Sequence, residues 1–351
     1  MLAIKDLSNA VIRKPLECSP VQERRTVEKD IEIKATSFLS RSLNDVLKTT
    51  DTTDRIYCRK AISIADPLGI KGKSILDRYT VEGFITNGGS SFVYKVKDDN
   101  ERLFAAKLIK ITSLDGKEFR RFKREIKTLL KIGPHQNIIK IFDVGFVEDV
   151  FVIVSEYAEL GSLLDSRKES PFTYGKMLTY LTHICNGLEE MHKVGLIHRD
   201  IKPQNVLLTE GLAKICDFGL VRDTSSNSSS LSDGIKGTIN YIAPEQSDPS
   251  NKEIDYKADI YSLGITMFHL LSGRLPFEGN AFQVLRQHIE SPPSPIREFC
   301  DFVSNDMERI IRKSMLKNPN DRPEIEEIRD VLIYELTSSG DFLLFQLPVL
   351  L

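Results

Sequence analysis

The sequence has no Cys-x-x-Cys pair, no apolar run of membrane-spanning length, no internal repeat and almost no net charge, and each absence removes a class of function. Its five cysteines, at 18, 58, 185, 216 and 300, are odd in number and widely spaced. That pattern favours reduced thiols in a cytosolic compartment over a disulfide framework or a zinc site. No stretch reaches the roughly 20 apolar residues that span a bilayer. The nearest, "FLLFQLPVLL" at the C-terminus, is short, contains Pro348 and reads as a docking tail. "MLAIKDLSNAVIRKPLE" lacks a basic region followed by a continuous apolar core, which argues against a cleaved secretory signal. A formal net charge of −2 gives no general attraction to nucleic acid or an anionic membrane, so partners must be read from sites.

What is present is ordinary in amount and informative in order. The 351 residues exceed one minimal core and suggest about two domains or one large two-lobed unit. Residues 1–76 are polar and mixed in charge, with an amphipathic stretch in "VEKDIEIKATSFLSRSLNDVL" and a looser one, "ADPLGIKGKS", before Asp77. This N-terminal extension is expected to be a small accessory element or partly disordered. From Arg78 the texture changes to short β-type runs: "YTVEGFI", "FVYKV", "LFAAKLIK", "IIKIFDV" and "VFVIVSEY". Among them lies one helix-period stretch, "GKEFRRFKREIKTLLKIG", closed by Gly133 and Pro134. After Gly161 the pattern turns helical, in "GKMLTYLTHICNGLEEMHKVG", "DIYSLGITMFHLLSG", "NDMERIIRKSMLKN" and "EIEEIRDVLIYEL". The second of these is apolar nearly all round, as expected of a helix through the centre of a larger lobe. The predicted fold class is α+β: a small antiparallel sheet with one helix, then a mainly helical lobe.

Chemistry first shows in the helix of the small lobe, where Phe122, Glu125 and Leu129 fall at i, i+3 and i+7 and share the inward face. A buried carboxylate needs a cationic or hydrogen-bonding partner, and the preceding strand offers Lys107 in "AAKLIK". An exposed acid on a charged helix is the alternative. "LIHRDIKPQNVLL" then places Asp200, Lys202 and Asn205 in one loop, and "KICDFGL" brings Asp217 shortly after. Upstream, "ITNGGSSFVYKV" has the form of a strand, a glycine turn and a second strand.

Taken in order, the glycine turn, Lys107, Glu125, the His-Arg-Asp loop, Asp-Phe-Gly at 217–219 and Ala-Pro-Glu at 243–245 resemble the signature set of the eukaryotic-like (Hanks-type) serine/threonine protein kinases. The bacterial members are the most similar, through "DIYSLGITMFHLLSGRLPFEGN", "QHIESPPSP" and "LKNPNDRPEI", while "KICDFGLVRD" and "GTINYIAPEQS" also resemble the eukaryotic translation-initiation-factor kinases; the resemblance runs from about Arg78 to about Leu336. It implies a two-lobed protein kinase fold over 77–337, with lobes of about 77–158 and 159–337, and a short apolar tail at 338–351.

The resemblance also assigns roles. Lys107 would hold the α- and β-phosphates of ATP, with Glu125 fixing its ammonium. Asp217 and Asn205 would ligate Mg²⁺ or Mn²⁺ through hard oxygen donors. Asp200 would accept the proton of the substrate hydroxyl, and Lys202 would neutralise charge on the transferred group. The turn departs from Gly-x-Gly-x-x-Gly: Thr86 stands at the first glycine, Gly88 at the second and Ser91 at the third. Gly88 and Gly89 still let backbone N–H groups approach phosphate oxygens, and Thr86 is expected in a strand before the turn, so the turn reads as altered but competent. The adenine pocket would be lined by Ile85, Val93, Ala105 and Leu207, with the backbone of Glu156 to Ala158 as its hydrogen-bonding edge. Ser155 would stand at its rear, and Cys216 reads as a small core residue bordering it.

Asp200-Ile201-Lys202 with "GTINYIAPEQ" places the resemblance in the serine/threonine branch, with Thr238 near Asp200 and Lys202. "RDTSSNSSSLSDGIKGT" reads as an activation segment, in which a phosphate on Thr224, a serine between 225 and 232, or Thr238 would pair with Arg199. Glu245 and Arg322 are expected to form an internal ion pair, and Asp259 to support the catalytic-loop backbone. The expected partners are proteins bearing serine or threonine, and a second copy of the chain for trans-autophosphorylation; neither nucleic acid nor a membrane span is expected. The expected location is cytoplasmic, with a bacterial effector acting in a host cytosol as a variant of that reading. The rival functions are a pseudokinase scaffold, to which the altered turn lends support, and a small-molecule phosphotransferase, disfavoured by the peptide-platform likeness of "GTINYIAPEQ".

Overall fold

The computed structural model describes residues 66–88, 91–110, 127, 130, 132–147, 150–169, 172–218, 239–247 and 254–338. The chain divides into two compact units. Among the described residues, one comprises those up to Asn87 with Ser91–Lys110 and those within Asp143–Val154; the other comprises Gly88, those within Ile111–Phe142 and those from Ser155 onward.

The first unit is built on a sheet of β1 (Ser74–Ile75), β2 (Tyr79–Gly88), β3 (Ser91–Lys97), β4 (Leu103–Lys110), β5 (Ile141–Val147) and β6 (Val150–Glu156), in the order β1-β2-β3-β4-β6-β5. The strands β3 and β4 are antiparallel, with Val93 opposite Lys107 and Lys95 opposite Ala105. Tyr94, Val96, Phe104, Ala106 and Leu108 are buried in the unit's core with Tyr79, Val81, Val152 and Val154. Because strand side chains alternate, the residues between them, Val93, Lys95, Ala105 and Lys107, occupy the opposite face. On β2, both Val81 and Phe84 pack on the core although they are an odd number of positions apart. The alternation therefore reverses between them, which turns Ile85 to the face of Lys107. Thr86 lies within β2, where a strand was expected, and Ser91 opens β3. The stretch expected to be looser is packed from Asp66 on: the Tyr94 hydroxyl donates to Asp66 (2.9 Å) and accepts the Leu68 N–H (3.1 Å). Leu68, Ile70 and Leu76 cover the core edge.

The second unit is mainly helical, with α1 (Leu163–Glu169), α2 (Tyr174–Lys193), α3 (Lys257–Ser272), α4 (Ala281–Glu290), α5 (Asn305–Ser314) and α6 (Ile325–Ser338). A hairpin of β7 (Val206–Thr209) and β8 (Leu212–Ile215) precedes the Asp-Phe-Gly segment. Helix starts carry the side chains that satisfy their first N–H groups: Thr173 for α2, Asn280 for α4 and Ser304 for α5. The apolar α3 is buried on every residue but His269 and Ser272, and ends at Gly273 in the left-handed conformation. Gly264 sets its approach to α5, since a Cβ there would meet Ser314 Cβ at 2.8 Å. The helix expected over "GKEFRRFKREIKTLLKIG" lies outside the described residues apart from Lys127, Leu130, Ile132 and Gly133 at its end.

Candidate active site

Within the second unit the site is assembled from the start of α3 outward. Asp259, wholly buried in the first turn of α3, accepts hydrogen bonds from the backbone N–H of His198 (2.9 Å) and Arg199 (2.7 Å) and meets His192 Nε2 at 2.9 Å. Burial alone would raise the Asp259 carboxyl; His192 and the His198 N–H outweigh it and hold the carboxyl below its ordinary value. The loop that follows can thus adopt a backbone it would not choose unaided: Arg199 has φ +67°, in the left-handed region. The expected support of the loop by Asp259 is therefore present as two direct hydrogen bonds.

In the loop itself, Asp200 Oδ2 accepts from Lys202 Nζ (2.8 Å) and from Asn205 Nδ2 (2.9 Å), and Asn205 Nδ2 also reaches the Asp200 carbonyl (2.8 Å). Asp200, Lys202 and Asn205 are therefore one hydrogen-bonded cluster, as their spacing suggested. The Asp200 N–H faces His198 Nδ1 (3.3 Å), so that nitrogen must accept and Nε2 carries the hydrogen donated to the Cys216 carbonyl at 2.8 Å. The Cys216 N–H in turn donates to the Asn205 carbonyl (2.9 Å). These two bonds tie the loop to the segment bearing Asp217, whose side chain is exposed and whose φ is +60°. Phe218 is buried with its ring 5.9 Å from that of His198. Cys216 is buried too, in keeping with a packing role.

Glu156 makes a two-pronged ion pair with Lys214 of β8 (2.7 and 2.8 Å), and its N–H donates to the Lys140 carbonyl (2.8 Å). The Ala158 carbonyl accepts from Gly161 N–H (3.3 Å), and the Gly161 carbonyl accepts from Leu208 N–H (2.9 Å), next to Leu207. In the first unit Val93, Ala105, Lys107 and Ile85 share the sheet face described above, and Gly88 closes β2. Gly89, Glu125, Thr224, the serines from 225 to 232 and Thr238 lie outside the described residues.

Glu245 and Arg322 form the expected pair, with bonds of 2.6 and 2.8 Å, and the Arg322 side chain is wholly buried. Its guanidinium also donates to the carbonyls of Leu316, Lys257 and Lys317. The sequence reading passed over two side chains that support the loop. One is His192, which acts through Asp259 and whose place in the last turn of α2 carried no signal. The other is Gln246, adjacent to Glu245, whose Nε2 donates to the Arg199 carbonyl at 3.0 Å.

Comparison with known proteins agrees with this geometry. The protein kinase domain family matches residues 79–331. A probable serine/threonine-protein kinase of Clostridium perfringens is 34% identical over 256 residues, which cover 72% of this chain and 37% of that protein. The serine/threonine-protein kinase PrkC of Bacillus subtilis is 33% identical over 73% of this chain and 40% of its own length. The serine/threonine-protein kinase pkn3 of Myxococcus xanthus is 32% identical over 73% of this chain and 49% of its own. The chain thus spans less than half the length of these relatives.

Proposed function

The chain belongs to the protein kinase domain family, and from that premise we propose that it transfers the γ-phosphoryl group of ATP to serine or threonine hydroxyls of proteins. The observation that carries this reading is the cluster of Asp200, Lys202 and Asn205. Asn205 and Lys202 hold one oxygen of the Asp200 carboxylate, which fixes its plane. Asp200 then takes the proton of the incoming hydroxyl as that oxygen attacks in line, and the Lys202 ammonium neutralises charge gathering on the transferred group.

The family uses ATP with a divalent metal ion. Here Asn205 and Asp217 would hold Mg²⁺ or Mn²⁺, which supplies charge neutralisation across the phosphates. The residues fit: the Nδ2 contacts of Asn205 go to Asp200, leaving its amide Oδ1 as a donor, and Asp217 offers an exposed carboxylate. Amide and carboxylate oxygens are the hard donors these ions take. On the sheet face, this reading gives Lys107 to the α- and β-phosphates and Ile85, Val93 and Ala105 to the adenine, with the backbone of Glu156 and Ala158 and the side chain of Leu207 completing the base contacts. Glu125 and the turn at Gly88 and Gly89 keep the roles the resemblance gives them.

Autophosphorylation of the serine-rich segment by a second copy of the chain, and action in the cytoplasm, belong to the same proposal. Among the described residues no helix is long and apolar enough to cross a membrane. The test is transfer from ATP labelled at the γ position, with Mg²⁺, into the protein itself and a generic basic protein, beside Asp200→Asn. Label incorporated by the wild type and lost in the variant is the expected result. ATP binding without transfer would overturn the catalytic reading in favour of a scaffold.

A further inference from the structure

Gln246 closes the short turn Pro244–Gln246, and its carboxamide bridges two backbone groups from separate segments. Oε1 accepts the Ala243 N–H at 3.1 Å, and Nε2 donates to the Arg199 carbonyl at 3.0 Å. The orientation of the amide is fixed by its partners, since a peptide N–H can only donate and a peptide carbonyl can only accept. The turn is itself anchored, because the neighbouring Glu245 is paired with the buried Arg322.

What Gln246 grips matters. Arg199 is in the left-handed conformation, which a residue with a Cβ keeps only where its surroundings enforce it. Its N–H is held by Asp259 from α3, and its carbonyl is held by Gln246 from the end of the activation segment. The peptide unit that carries this carbonyl is the one whose nitrogen belongs to Asp200. Rotating it would swing the Asp200 side chain and break the N–H contact with His198 Nδ1.

We propose that Gln246 is a positioning residue for Asp200: its carboxamide locks the Arg199–Asp200 peptide and ties it to the backbone of Ala243. Asp259 and Gln246 then act as two hands on one strained residue, one from the first turn of α3 and one from the turn Pro244–Gln246. The kinetic consequence rests on the phosphotransfer reading; the lock itself does not.

The experiment compares full-length wild type, Gln246→Met and Gln246→Glu by steady-state kinetics and by hydrogen exchange of the backbone. Gln246→Met keeps the volume and removes both hydrogen bonds. It is expected to lower kcat about 10- to 100-fold, the scale of a small misplacement of a catalytic group, with KM for ATP changed less than about twofold. Exchange across 198–205 is expected to rise about tenfold, the scale of losing one such hydrogen bond. Gln246→Glu keeps the acceptor for Ala243 and sets an anionic oxygen against the Arg199 carbonyl, so its kcat should fall further; it carries the same test should Gln246→Met fail to fold. A raised KM for the protein substrate at unchanged kcat would overturn the proposal, leaving Gln246 a mere support of the peptide platform. So would unchanged exchange across 198–205. Wild type that binds ATP and transfers nothing would refute the kinase reading alone, and the exchange arm would still decide the lock.

Discussion

Replacing Asp259 by asparagine changes one atom in a fully buried group and should cost the protein both stability and rate. The carboxylate accepts from two backbone N–H groups and meets His192 Nε2, with Oδ1 serving Arg199 and Oδ2 serving His198 and His192. An amide offers one oxygen, so whichever way the substituted side chain turned, its NH₂ would face a backbone N–H, and one buried donor would lose its partner. An orphaned buried donor costs about 1–3 kcal/mol, and reducing the other bond from charge-assisted to neutral costs about 1 kcal/mol more. The expected loss for Asp259→Asn is thus about 2–4 kcal/mol, read from the urea midpoint of the second unit's unfolding transition. Because both affected N–H groups hold the strained turn before Asp200, kcat in the folded variant should also fall, by about 10-fold or more. A variant within about 0.5 kcal/mol of wild type and with unchanged kcat would refute the view that Asp259 holds the loop.

Two further outcomes follow from the second unit. Lys214→Met removes the ion pair that restrains Glu156; if about 1 kcal/mol of that ordering is expressed in nucleotide binding, KM for ATP rises about fivefold at constant kcat, whereas a fall in kcat alone would exclude this role for the pair. His183, buried in α2 with Nδ1 accepting the Ala213 N–H, is pushed down by burial to about 4. The unfolded chain therefore binds a proton that the folded one refuses, and the contribution, intact above pH 6.5, is lost as pH falls from 6.5 towards about 4. On the order of 2 kcal/mol should be gone by pH 5; His183→Gln should flatten the dependence of the urea midpoint between about pH 7 and pH 5, and an unchanged slope would count against a neutral buried imidazole.

The sequence disclosed those parts of the fold whose signal is local and periodic. β3 and β4 alternate from Phe92 to Val96 and from Leu103 to Leu108, with Ile109 buried as well at the end of β4, and the pairing of Val93 with Lys107 keeps that parity. The apolar circumference of α3 was visible for a different reason, since all of it but His269 and Ser272 is buried. The β7–β8 hairpin was not seen: four residues a side is too short for period to speak, and its only mark is the Glu210-Gly211 turn, with Gly211 at φ +75°. Helix α4 escaped because just Val284 and His288 are buried, so its polar surface resembles a loop. Within the site, the cluster of Asp200, Lys202 and Asn205 was legible because one short loop carries all three. Gln246 was not, since its partner Arg199 is distant in sequence and the contact is to a carbonyl, which every residue has.

The burial of α3 bears on how the catalytic loop fails. A helix with no polar face cannot remain in solution once its neighbours α2 and α5 have withdrawn, and they cannot withdraw singly without wetting it. The second unit is therefore denied the usual stepwise loosening around a half-exposed helix, and it opens as one cooperative event. Asp259 sits in the first turn of that helix, so the strained turn before Asp200 keeps its shape until the whole unit gives way. On heating, the activity of this protein should not fade in advance of its structure; the two should vanish together.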